Sequence, residues 1–148
     1  MPDLRVTHPV VKAVIFDVDG TLYRQRPLRR AMAVRLVAGH LLHPIRGMRT
    51  ARILAAYRQA QEDMRADAAV GDLTEVQLLA ASARTGVDLA EVARCVTRWM
   101  DVAPLALLPR CAEHDLVESL DLLRSWGLRL AVLSDYPAHA KLAALGIA

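Results

Sequence analysis

Cysteine is scarce in this chain, with two in 148 residues, Cys95 and Cys111, far apart and without metal-like spacing. The expectation is two reduced, half-buried fillers in an intracellular protein rather than a disulfide framework. No apolar run approaches the length of a bilayer span. The opening Met1-Pro2-Asp3-Leu4-Arg5 lacks the basic-then-apolar order of a signal peptide, so the expected location is the cytoplasm. Acidic residues are missing altogether between Gly20 and Gln61, where nine arginines occur: Arg24, Arg26, Arg29, Arg30, Arg35, Arg46, Arg49, Arg52 and Arg58. The net charge of +3 therefore hides a remainder of −6. Such a basic segment can meet nucleic acid, a membrane surface or an anionic substrate, and its plainest reading is a solvated helix face pairing with acids elsewhere. Without interleaved aromatics for base stacking, nucleic acid ranks behind a field that draws an anionic small molecule.

What is present begins with Val11-Lys12-Ala13-Val14-Ile15-Phe16-Asp17-Val18-Asp19-Gly20-Thr21-Leu22-Tyr23. A short apolar, β-branched run followed at once by turn chemistry predicts a strand buried on both faces, in the middle of a parallel sheet. The C-terminal tip of such a strand is where open α/β sheets bind ligands. Asp17 and Asp19 stand two apart and project to one side if the chain is still extended. Gly20 lets the backbone leave sharply. Two carboxylates this close tend to split into a protonated and an anionic partner, which suits a nucleophile beside a general acid, or a metal that holds both charged. A lone D-x-D is more often a solvated strand end. The longer string D-x-D-G-T arises by accident in a chain this long on the order of one time in a thousand.

Here the sequence resembles the haloacid dehalogenase superfamily, whose first motif is a hydrophobic strand followed by D-x-D-G-T-L, matched by Asp17 through Leu22. The resemblance implies that Asp17 attacks phosphorus to form an aspartyl-phosphate, and that Asp19 protonates the leaving oxygen and then activates water. It implies Mg²⁺ held by the Asp17 carboxylate and the Asp19 main-chain carbonyl, with Gly20 and Thr21 shaping the phosphate-binding loop. An Asp at position 19 favours phosphoryl transfer over carbon-halogen cleavage. Covalent catalysis splits a hard hydrolysis into two displacements, and the cation offsets repulsion between nucleophile and phosphate.

Residues 24 to 105 read as helical. Leu28 to His43 forms a first helix stopped by Pro44, and Thr50 to Asp67 a second with Ile53, Tyr57, Ala60 and Met64 on one stripe. Asp72 with Glu75, and Asp88 with Glu91, have capping-box spacing for two more, the last ending before Pro104. His40 and His43 are an i, i+3 pair lacking acidic or Cys co-ligands, so a capping or partly buried role is expected. Trp99 and Trp126 are expected in the core. A helix from Glu113 to Trp126, stopped by Gly127, leads to a second buried strand, Leu128 to Leu133, closed by Ser134-Asp135-Tyr136-Pro137. Ser134 matches the superfamily's second motif, which implies a hydrogen bond to the transferring phosphoryl oxygen. Asp135 is expected to cap the following helix.

The expected fold is α/β: a Rossmann-like parallel-sheet core, incomplete with two recognisable strands, from residues 1–23 and 106–148, and an α-helical cap from 24–105. The superfamily also needs a third-motif lysine and a fourth-motif acid. Lys141 lies in an amphipathic stretch and reads as a surface residue, so the chain looks like the N-terminal part of a longer enzyme. The expected activity is Mg²⁺-dependent phosphatase action on a small phosphorylated metabolite. The alternatives are an intramolecular phosphosugar mutase of the same fold and a truncated, non-catalytic module that binds anions or a partner. An incomplete sheet leaves edges unpaired, which invites a homodimer.

Overall fold

The computed structural model of the chain describes residues 11–66, 73–134 and 137–147. In chain order the elements are β1 (Ala13–Asp17), α1 (Gln25–His40), α2 (Pro44–Ala66), α3 (Leu73–Thr85), α4 (Leu89–Val96), α5 (Leu108–Cys111), α6 (Leu116–Ser125), β2 (Arg129–Leu133) and α7 (His139–Ala144). They group into two compact units, one from the chain up to Gln25 together with the chain from Leu108, the other from Arg26 to Leu107.

In the first unit β1 and β2 pair in parallel, in a register running from Ala13 against Arg129 to Asp17 against Leu133. Val14 and Phe16 are half-buried, while Ile15 is 67% exposed and Leu133 72% exposed. The expectation of strands buried on both faces is therefore corrected. Among the described residues the sheet has two strands and one covered face, so the alternate side chains stand in solvent. Among the described residues the unit's core is formed by Val18, Leu22, Tyr23, Leu108, Cys111, Leu120 and Leu145, all buried. Tyr23 bridges to Ala112 in antiparallel sense, with the Arg24 amide donating to the Cys111 carbonyl at 2.8 Å and the Glu113 amide to the Leu22 carbonyl at 3.1 Å. These bonds pin the turn after β1 to the end of α5. α6 packs on β2 through its Leu120 stripe, and Gly127, at φ +76°, turns the chain into the strand. Trp126, expected in the core, is 66% exposed, because it is the C-cap residue at which α6 ends.

In the second unit α2 packs on α3 and α4. Pro44 does not merely stop a helix. It opens α2, six residues ahead of the expected start at Thr50, since its fixed φ and missing N–H suit a first helical position. Of the expected stripe, Ile53, Tyr57 and Ala60 are buried and Met64 is half-buried, and the first two cluster with Ala81, Val92 and Val96. Ile53 is 2% exposed, so Ile53→Ala removes a fully packed side chain at the centre of this cluster. The expected loss is about 2–4 kcal/mol of unfolding free energy, read from the urea midpoint.

Gly86, at φ +67°, ends α3, its amide donating to the Ser82 carbonyl at 2.9 Å. Asp88 caps α4, its Oδ1 accepting from the amides of Ala90 and Glu91. The reciprocal half of that capping box is not made by Glu91, whose carboxylate instead takes the Arg49 guanidinium at 2.7 Å. The cap expected of Asp72, like that of Asp135, lies outside the described residues. Cys95 and Cys111 are free. Burial pushes the Cys95 thiol above its ordinary value, the Glu91 carboxylate adding to the effect and Arg98 opposing it, so the thiol stays protonated and inert.

Candidate active site

β1 presents Asp17 as its last residue, exposed at the strand tip. Asp17 pairs with Leu133, so Ser134, the next residue, leaves β2 at the edge where the chain leaves β1. Parallel strands end on the same side, and that edge is where the backbone opens to a ligand. The strand stops at Asp17. Val18 is a bend residue with no exposed surface, anchoring the turn in the core. Strand alternation thus ends one residue too soon to place Asp19, whose position is set by its own contacts.

Those contacts are dense. The Tyr23 hydroxyl donates to Asp19 Oδ1 at 2.5 Å, and the Lys141 ammonium donates to the same oxygen at 2.6 Å. The Gln25 side-chain amide donates to the Asp19 main-chain carbonyl at 2.7 Å. Gly20 makes this possible: its φ of +99° is one that L side chains rarely adopt. The Leu22 amide closes the turn on the Val18 carbonyl at 3.2 Å, and Thr21 is exposed on it.

Lys141 is the main correction. Read from the sequence as a surface residue, it is only 22% exposed and forms an ion pair with Asp19, itself 33% exposed. The cause is topological: α7 follows the end of β2, so its first turns lie beside the strand tips that also carry Asp17 and Ser134. Amphipathic spacing is blind to that proximity. A lysine within a turn of a helix start just downstream of a candidate strand tip was the available signal. Tyr23 and Gln25 were missed as well, although Tyr23 stands four residues from its partner, a spacing that a tight turn closes.

The atoms that could hold a cation at this edge, the Asp17 carboxylate and the Asp19 carbonyl, are oxygens, a donor set that would suit a hard ion such as Mg²⁺. The carbonyl accepts from Gln25 and keeps its second lone pair. Among the described residues no group of three or more His, Cys, Asp or Glu side chains converges on a metal position, so water would complete the shell, as is usual for Mg²⁺. His40 is partly buried, one of the two roles expected of it. Its Nδ1–H donates to the Leu36 carbonyl at 2.8 Å, and its ring lies against Trp99. No described helix is long and apolar enough to cross a membrane.

Among the described residues, an acid-bearing turn stands at the tip of a two-stranded parallel α/β core, with a helical insertion straight after it, an arrangement that fits a Rossmann-like hydrolase. The family model of haloacid dehalogenase-like hydrolases matches residues 11–148, and the chain belongs to that family. Searches of curated proteins and of solved structures find no match.

Proposed function

We propose that the chain carries the catalytic motifs of a Mg²⁺-dependent phosphatase that hydrolyses a small phosphoric monoester through an aspartyl-phosphate, with residues 24–105 as its cap and a cytoplasmic location. The observation that carries this reading is the register that brings Ser134 to the strand edge where Asp17 ends β1. An Asp17 carboxylate oxygen attacks phosphorus as the ester P–O bond breaks. The departing alkoxide takes a proton from Asp19. Water then attacks the same phosphorus, its proton returning to Asp19, and inorganic phosphate leaves with the Asp17 carboxylate restored.

Among the described residues both contacts to the Asp19 side chain fall on Oδ1, from Tyr23 and Lys141, which leaves Oδ2 as the oxygen to face the leaving group. The Ser134 hydroxyl, with the backbone of Gly20 and Thr21, holds phosphoryl oxygens as negative charge builds on them. Mg²⁺, held by Asp17 and the Asp19 carbonyl, would offset repulsion between the carboxylate and the phosphate.

The test is phosphate release from an aryl phosphate. Turnover is expected with Mg²⁺, with a fall of roughly a hundredfold or more on chelation and recovery when the ion is added back. Release no faster than the uncatalysed rate with and without Mg²⁺ would sink the proposal.

A further inference from the structure

The helical unit contains a cavity of its own, about 640 Å³, whose lining includes five arginines, Arg35, Arg46, Arg49, Arg94 and Arg98, against a single carboxylate, Glu91. That volume lies in the range of small-molecule sites. α1 contributes Arg35, α2 contributes Arg46 and Arg49 one turn apart, and α4 with the π-helical turn that continues it (Thr97–Val102) contributes Arg94 and Arg98. Like charges three and four apart on one helix face repel, so this arrangement costs stability unless something anionic sits among them.

Three of the five guanidiniums are held in place. Arg35 donates to the Ala103 carbonyl at 3.1 Å, Arg49 pairs with Glu91 at 2.7 Å, and Arg98 lies 6.0 Å from the centroid of the Trp99 ring. Arg46 and Arg94 have no ion-pair or hydrogen-bond partner among the described residues, and both are exposed. The wall behind them is tightly built: a Cβ on Gly47 would come within 2.7 Å of the His40 side chain, and His40 packs against Trp99 with ring centroids 5.6 Å apart.

We propose that this cavity binds a small organic or inorganic anion carrying at least two phosphate or carboxylate groups, one taken by Arg46 and Arg94 and the other by the anchored arginines. The site is independent of the hydrolytic reaction proposed above and lies wholly within residues 26–107. Its concave form, in which the two lining rings, His40 and Trp99, pack against each other, favours a compact ligand over a nucleic-acid strand. A planar guanidinium presents paired N–H donors to phosphate or carboxylate, so five of them around one cavity give bidentate recognition at more than one anionic group.

The probe is inorganic pyrophosphate, titrated into the full chain in chelated buffer at about 0.15 M salt, an ionic strength that screens loose surface attraction. Trp126→Phe, at an exposed position, leaves Trp99 as the sole tryptophan reporter. Saturable binding at one site is expected, weakened roughly tenfold or more in Arg46→Gln/Arg94→Gln and unchanged in Asp17→Asn. Circular dichroism of the double variant should match that of the parent. Non-saturable binding, equal affinity in the double variant, or tighter arginine-dependent binding of a single-stranded oligonucleotide would overturn the proposal. Loss of binding in Asp17→Asn would also overturn it by placing the anion at the carboxylate site, while leaving the hydrolase reading intact.

Discussion

Phosphate release from an aryl phosphate is expected to fall by about 10⁴-fold or more when Asp17 is replaced by Asn, with the protein still folded. The amide has nearly the shape of the carboxylate but neither its charge nor its nucleophilic oxygen. The covalent route is then closed, and positioning alone supplies what remains. Asp17 is exposed at the tip of β1, and no ion pair ties it into the fold among the described residues. The denaturation midpoint should therefore move by the small amount typical of surface substitutions, within about 0.5 kcal/mol. The separation of these two readouts identifies a nucleophile, because a merely structural acid would lose stability along with rate. Comparable rates for Asp17→Asn and the parent would remove Asp17 from the chemistry.

The same distinction between local chemistry and packing explains which parts of the molecule were legible in the sequence. β1 and its turn were visible because an apolar β-branched run, two acids and a glycine each impose a local requirement, and all of them agree. The Ile53, Tyr57 and Ala60 stripe was visible because helical period and burial coincide. The exposure of Ile15 and Leu133 was not. A continuous apolar strand carries no record of how many layers cover it, and its composition is the same with one face covered as with two. The start of α2 was misplaced because Pro44 is compatible with ending one helix and with opening another, and only the intervening turn, in which the His43 amide returns to the His40 carbonyl, decides between them. Lys141 was hidden for a third reason: it meets Asp19 through topology rather than periodicity. The sequence separation between the two is large, and no pattern within α7 refers to the turn after β1.

That hidden contact carries the second large effect. Lys141→Met keeps the length and apolar stem of the side chain and removes the ammonium that sits 2.6 Å from Asp19 Oδ1. A partly exposed ion pair of this kind contributes on the order of 1 kcal/mol to stability, a few degrees in the unfolding temperature of a domain this size. In the proposed mechanism its contribution to rate is larger, because a fixed positive charge beside the acid proposed to hand over and take back the proton acts at the transition state without reorganising. Removing one such preorganised donor costs roughly 10²–10³-fold in turnover elsewhere. Lys141→Met is therefore expected to lower kcat by about a hundredfold or more while leaving KM within a few-fold, and Lys141→Arg, which keeps the charge, to recover part of the loss. Tyr23→Phe provides the contrast. It removes the other hydrogen bond to the same oxygen but no charge, and should cost less than Lys141→Met. If the Met variant lost stability but turned over at the parent rate, Lys141 would be a strut that holds the turn. A fall in kcat at nearly constant stability would assign it to the reaction.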